Sequence, residues 1–337
     1  MAQYYTYEGP FELECGATLP SVTIAYDTYG RMNADRSNVV WVCHALTANS
    51  DAADWWPHTV ERGCFLDPDR YFTVCANFLG SHYGTTGPLS MNPSTGEPWY
   101  GDFPKITVRD MVNCHRLLAA HLGVERVKLL IGSSIGGFQC LEWCVMQPDF
   151  AERAAFIATT PRTKPWASAF NESQRMAIES DPTFGERNAE AGAAGMSVAR
   201  SIALLSYRGG TAYDKTQEDA DPDEAGFDRR VLTYQRYQGE KLKRRFNAYS
   251  YYRLSQAVDS HNLGRGRGRV EDVLAGIRAK SLVVAITSDI LFPPSDHTIL
   301  VDNIPDAEYH VIDSDFGHDG FLVEHEKLNG IITDFMK

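Results

Sequence analysis

The segment LLIGSSIGGFQCLEW, residues 129–143, sets two adjacent serines between glycines at the end of an apolar run. Only Gly132-Ser133-Ser134-Ile135-Gly136 satisfies G-x-S-x-G, with Ser134 at its centre, because the frame centred on Ser133 would require glycine at Ile131. The spacing has a mechanical reason: a nucleophile on a strained turn between strand and helix leaves no room for side chains two residues to either side. KLLIG reads as a buried strand, and IGGFQCLEWCVMQ continues as a helix with apolar residues at helical spacing. That helix points its N-terminal N–H groups at the position where negative charge develops during attack by Ser134. A glycine-rich turn that merely packs tightly has the same short string, so partners elsewhere in the chain must decide.

Outward from this turn, β-rich runs recur with helical stretches between them. SVTIAYDTYG, NVVWVCHAL and YFTVCANFLG precede VKLLIGS, AAFIATT follows it, and SLVVAITS and AEYHVID come much later. Strands alternating with helices predict an α/β fold with a mostly parallel central sheet covered on both faces. TVRDMVNCHRLLAAHLG supplies a crossover helix: Met111, Val112, Leu117, Leu118 and Leu122 form its apolar stripe, Thr107 caps it and Gly123 ends it. More than a hundred residues between AAFIATT and SLVVAITS carry helical signals, with an acidic piece, YDKTQEDADPDEAG, in their midst. Because the strand pattern resumes beyond them, they read as an inserted helical cap. The division is a core of residues 1–160 and 276–337 and a cap, or lid, of residues 161–275. The GRGRGR run at 264–269 reads as a flexible connection back to the core.

Composition excludes several function classes. A formal net charge of −12 over 337 residues argues against broad nucleic-acid or anionic-membrane binding, although a local basic patch can still meet an anionic cofactor. MAQYYTYEGPFELECG has neither a basic start nor an apolar stretch of leader type, and no run approaches the ~18 apolar residues of a membrane span. The expectation is a soluble, cytoplasmic protein. Seven cysteines without CxxC or ligand spacing read as buried free thiols, with no metal site.

For a serine on such a turn, the acid belongs in the loop after a late strand and the histidine after the last one. Asp289 ends SLVVAITSD, and His318 lies in DSDFGHDGF just beyond AEYHVID. The expected roles are general base and later acid for His318, and orientation plus stabilisation of the imidazolium for Asp289. His310 falls within a strand pattern, His325 within the last helix, Asp313 and Asp315 on the wrong side of the final strand, and Asp296 at the cap of a helix after PPS. The loop after an early strand, WVCHALTANS, should supply the second oxyanion donor, so the backbone N–H groups of Leu46 and Ile135 are the expected pair and His44 shapes the loop.

Several stretches together resemble the homoserine O-acyltransferases of the acetyltransferase type, in the α/β-hydrolase superfamily. They are HALTANSDAADWW, DRYFTVCANFLGSHYGTTGPLSMNPSTGEPWYGDFPKITVRDMV, IGSSIGGFQCLEW, ESQRMAIESD, YQRYQGEKLKRRFNAYSYYRLSQAVDSHNLG, SDILFPP and GHDGFL, spanning about residue 40 to 325. The resemblance implies an α/β-hydrolase fold and a ping-pong transfer in methionine biosynthesis, in which acetyl-CoA acylates Ser134 and the hydroxyl of L-homoserine takes the acyl group. It implies Ser134, Asp289 and His318 as the triad, Arg208 of LLSYRGG on the substrate carboxylate and Asp319 on its ammonium. A zwitterion needs such a fixed cation and anion, and a guanidinium suits a carboxylate. Ala48 stands where the family often has glycine, and Ser133 and Ile135 where glycine and methionine are common; none of these removes a catalytic group.

A transferase must also exclude water from the acyl-serine and hold the acceptor close. Trp55, Trp56, Trp143 and Trp166 read either as the lining of an apolar tunnel or as ordinary core. KLKRRF (Lys241, Lys243, Arg244, Arg245) and the GRGRGR arginines read either as coenzyme A contacts or as solvated charge. The aromatic YSYYRL segment suits the cap-to-cap homodimer that the family suggests. The alternatives are succinyl transfer to homoserine or serine, with Arg162 or Lys164 as the extra cation, a carboxylesterase with the same triad, and a catalytically silent binding protein. No cofactor is expected to be bound permanently, and no nucleic-acid or membrane partner.

Overall fold

Apolar alternation along the chain resolves into one eight-stranded sheet: β1 Gln3–Tyr7, β2 Val22–Tyr29, β3 Val39–Cys43, β4 Phe72–Ala76, β5 Val127–Ser133, β6 Ala151–Ile157, β7 Lys280–Ile286 and β8 Glu308–Ile312. The computed structural model describes residues 2–223 and 226–337; Met1, and Glu224 and Ala225 near the end of the acidic stretch, lie outside the described residues. The order across the sheet is β1-β2-β4-β3-β5-β6-β7-β8. From β4 to β8 every neighbouring pair runs parallel, whereas β1 and β2 join antiparallel at the edge. β1 is the strand of this sheet that the sequence reading did not mark, and its half-exposed residues show why.

The side-chain period of two sorts the central strands between two cores. Val40, Val42, Leu129, Ile131, Ala155, Ile157, Leu282 and Val284 face one side, and Trp41, Leu130, Ala154, Phe156 and Val283 face the other. Each buried Val, Leu, Ile or Phe contributes roughly 1.5–3 kcal/mol relative to exposure, which is why these strands read as continuous apolar runs. Helix α1, Val108–His121, begins with Thr107 as expected: its hydroxyl accepts from the Asp110 N–H while the Asp110 carboxylate accepts from the Thr107 N–H at 2.8 Å. Helix α2, Ile135–Met146, follows β5 directly.

Between β6 and β7 the chain leaves the sheet and builds α3 Pro165–Glu179, α4 Ala193–Tyr207, α5 Gly210–Gln217, α6 Arg230–Lys243 and α7 Ala248–Ser260. The buried end of Arg175 on α3 meets Asp259 of α7 at 2.6 Å and ties the two helices. Short helix α8, Val270–Leu274, leads back to β7, and α9 Pro294–Asn303 and α10 His325–Phe335 complete the core. Asp296 is not the cap of α9. That position falls to Pro293, and Asp296 pairs instead with Lys164 at 2.5 Å.

The GRGRGR stretch is pinned, contrary to the expectation of a loose connector. Arg265 meets Glu14 at 2.7 Å, Arg267 meets the buried Glu142 at 2.7 Å, and the Arg109 guanidinium donates to the Arg265 carbonyl at 2.6 Å. These acids lie far away in sequence, so local composition gave no sign of them. All seven cysteines are free and five are buried as expected, but Cys15 is exposed and Cys64 half-buried. Among the described residues no helix is long and apolar enough to cross a membrane.

Candidate active site

Parallel strands deliver the loops after β3, β5, β7 and β8 to one edge of the sheet, and these loops carry Leu46, Ser134, Asp289 and His318. Ser134 stands at the junction of β5 and α2 with φ 56° and ψ −124°, a region that non-glycine residues rarely occupy. The flanking glycines are required by space. A Cβ at Gly132 would lie 2.4 Å from the backbone of Gly136, and one at Gly136 would lie 2.1 Å from the Cys43 carbonyl oxygen in β3. The turn is further held by the Ser134 N–H, which donates to the Ile157 carbonyl at 2.9 Å, and by the Thr159 hydroxyl, which donates to the Ser134 carbonyl at 3.0 Å.

The sequence-selected acid and histidine meet. His318 Nδ1 lies 2.7 Å from Asp289 Oδ2, both residues being buried. The other Asp289 oxygen accepts the N–H groups of Leu291 at 2.8 Å and Phe292 at 2.9 Å, which locks the carboxylate. Phe292 and Phe321 pack edge-on against the imidazole, at 5.4 and 5.6 Å between ring centroids. Burial alone would lower the His318 pKa. The facing Asp289 carboxylate, with a further contribution from Asp319, outweighs burial and raises it above 6.5.

Ser134 and His318 line one cavity of about 650 Å³. Among the described residues the Ser134 hydroxyl has no hydrogen-bond partner. The Oγ-to-Nε2 contact is therefore open in the free protein, as serine–histidine pairs often are before substrate tightens them. The amides of Leu46 and Ile135 are likewise free of protein acceptors, and both residues flank Ser134 in a small side pocket. Two free N–H groups beside a serine hydroxyl, one of them at the positive end of a helix, suit an oxyanion. The described residues contain no cluster of ligands that would hold a metal ion.

The side pocket is lined by Leu46, Ile135, Phe138, Ala167, Asn171, Tyr207, Val258, Leu291 and Phe292 besides Ser134, with no charged residue. Arg162 is exposed and Lys164 pairs with Asp296, so neither contributes a cation there. The larger cavity is lined by Arg200, Lys241, Arg245, Asp54 and Asp319, among others. Arg208 does not line this cavity; it lines a separate one of about 120 Å³, where its guanidinium donates to the Tyr234 hydroxyl, and it reaches the larger cavity only through Asp319, which its Nε meets at 3.3 Å. Asp319 is held above the ordinary carboxylate pKa by burial, which the nearby Arg200 and Arg208 only partly offset.

The other sequence candidates divide. Of the four tryptophans, Trp55 lines the cavity, Trp56 and Trp143 are core, and Trp166 is exposed, its indole N–H on the Ile290 carbonyl. Of KLKRRF, Lys241 and Arg245 line the cavity. The GRGRGR arginines 265 and 267 are spent on Glu14 and Glu142. Sequence reasoning missed Arg200 and Tyr207. Helical spacing puts Arg200 and Tyr207 on one side of α4 but does not say which side faces the cavity, since that is set by how α4 packs.

Comparison with known proteins gives a consistent result. Residues 38–325 match the family model of the alpha/beta hydrolase fold. A homoserine O-acetyltransferase of Cyclobacterium marinum is 43% identical over 98% of this chain and 94% of its own length, and one of Trichormus variabilis is 42% identical over 99% and 93%. Among solved structures, the homoserine O-acetyltransferase from Bacillus anthracis superposes with a TM-score of 0.93 at 25% identity, covering 100% of this chain and 97% of that one. Esterase E22 shares the fold, with a TM-score of 0.89 at 23% identity and complete coverage of both chains (100% of each).

Proposed function

The chain belongs to the homoserine O-acetyltransferase family within the alpha/beta hydrolase fold, and from that premise we propose that it moves an acetyl group from acetyl-coenzyme A to the side-chain hydroxyl of L-homoserine, a step of methionine biosynthesis. Ser134 Oγ attacks the thioester carbonyl and gives its proton to His318 Nε2, while the oxyanion is held by the amides of Leu46 and Ile135. Collapse releases the thiol, which takes that proton, and leaves an acetyl ester on Ser134. His318 then removes the proton of the homoserine hydroxyl, which attacks the ester, and Ser134 leaves with a proton returned by His318. Asp289 fixes the imidazole and stabilises its charged form in both halves.

The observation that carries this reading is the pairing of an uncharged small pocket at Ser134 with opposite charges a short way beyond it. An acetyl group needs no counter-charge, whereas a succinyl carboxylate left in that pocket would be buried without a partner. The Arg208–Asp319 pair offers a zwitterion its two complements at once: guanidinium for carboxylate and carboxylate for ammonium. A simple esterase has no use for such a pair. We extend the proposal to a homodimer through the cap, supported by Val198 and Leu205 on α4 and Leu232 and Tyr237 on α6, which stand exposed. Of the YSYYRL aromatics, Tyr249 and Tyr251 are buried within the protomer, which leaves the half-buried Tyr252 as the one able to join such a contact.

The test is thiol release from acetyl- and succinyl-coenzyme A, each with and without homoserine or serine. Sustained release is expected only with acetyl-coenzyme A and homoserine, and Ser134→Ala should abolish it. Hydrolysis of p-nitrophenyl acetate that homoserine does not divert, with no thiol release, would replace the transferase by an esterase.

A further inference from the structure

His44 is fully buried at the end of β3, stacked on Phe78 with 4.2 Å between ring centroids, and takes no part in the proton transfers above. Its Nδ1 lies 2.8 Å from the carbonyl oxygen of the next residue, Ala45. A carbonyl only accepts, so Nδ1 carries the proton. Burial lowers the His44 pKa to about 4, so at neutral pH the ring holds that single proton and Nε2 is bare. The same Ala45 oxygen also accepts the Ala48 N–H at 3.0 Å.

The significance lies in which peptide is gripped. The Ala45 carbonyl and the Leu46 N–H belong to one planar unit and point in opposite directions across it. Two donors on the oxygen therefore aim the N–H the other way. Leu46 is the residue that lines the pocket with Ser134, and its N–H has no acceptor in the protein. Without the grip this peptide can turn over. Its carbonyl would then face the developing oxyanion, replacing attraction by repulsion. Ala48 adds the second half of the grip through its own backbone N–H.

We propose that His44 is a positioning residue that clamps the Ala45–Leu46 peptide through Nδ1–H, so that the Leu46 amide is held ready for the oxyanion of both half-reactions. The proposal deepens the transferase reading and rests on it for the natural substrates, but the clamp is chemically indifferent to whether the acyl donor is a thioester or an ester.

Three variants separate the clamp from a packing role. His44→Phe keeps a ring on Phe78 and removes the donor. His44→Asn places an amide N–H near the Nδ1 position, and His44→Gln carries the same amide one bond further, out of register. In single-turnover measurements on folded, active-site-titrated protein, Phe and Gln should slow thiol release from acetyl-coenzyme A, and deacylation by homoserine, by a similar factor. That factor is roughly tenfold or more, bounded by the ~10²–10³ that loss of an oxyanion donor costs. Both KM values should change little, and Asn should restore most of the rate. Equal rates for Asn and Gln, or a Phe variant that loses thermal stability while keeping its per-site rate, would overturn the clamp. The Asn–Gln comparison serves alone if Phe does not fold. p-Nitrophenyl acetate provides the independent arm. If the wild type ignores acetyl-coenzyme A but Gln slows ester turnover relative to Asn, the transferase reading fails and the clamp stands.

Discussion

Asp289 has both oxygens committed, one to the His318 ring and one to two backbone amides, and this shapes how the base titrates. His318 must be neutral to accept the Ser134 proton. Since its pKa is raised, acylation should fall as pH drops through a value above 6.5. Asp289→Asn removes the largest raising influence and leaves burial dominant, so the acid limb should move to lower pH. The plateau rate should fall by about 10³–10⁴, as expected when the imidazole loses its orienting charge. Thiol release followed across about pH 5.5–9 checks both, and a limb that stays in place would mean that another group titrates. At this scale much was legible. Ser134, Asp289 and His318 follow from a glycine frame and from chain order, because strand ends fix where their loops go. Arg200 was not, because a helix exposes its working face only after its neighbours have packed.

The β5–α2 junction works because β3 passes directly beneath it. Gly136→Ala would drive a methyl to 2.1 Å from the Cys43 carbonyl, in a strand buried along its whole length. Backbone on both sides cannot yield cheaply, so the expected loss is about 3 kcal/mol, at the upper end for overpacking. Gly210→Ala, in α5, meets nothing within 4 Å and is the control. Urea midpoints for the two variants decide the matter: a Gly136 variant as stable as its control would show that β3 and α2 separate readily. The strands bearing the site were visible as apolar runs because a two-sided sheet dictates them. Edge strand β1 escaped because half-exposed tyrosines carry no such run. The GRGRGR arginines looked solvated because their acids, Glu14 and Glu142, are supplied by folding and not by sequence proximity.

Over the whole molecule, four histidines lie deep inside with lowered pKa: burial pushes His44 down to about 4, His115 and His261 down to about 3, and His297 below its ordinary value. Neither ring nitrogen of His115 or His261 has a hydrogen-bond partner among the described residues. The unfolded chain binds these protons near pH 6.5 and the native state does not. Stability should therefore decline as pH falls from 6.5 toward 4, by up to about 1.4 kcal/mol per histidine per pH unit. Urea unfolding at pH 7 and 5.5 measures the slope, and a flat profile would mean that the native state admits the protons. The turn that follows α6, where the roof of the Ser134 cavity meets its wall, adds a last consequence. Arg245 donates to the Thr47 carbonyl at 2.5 Å and to the Tyr83 hydroxyl at 2.6 Å. Thr47 adjoins Leu46, so roof and wall of the chamber are bolted together. Tilting the roof would have to break both bonds, so substrates are expected to come and go through a standing doorway in place of a swinging hatch.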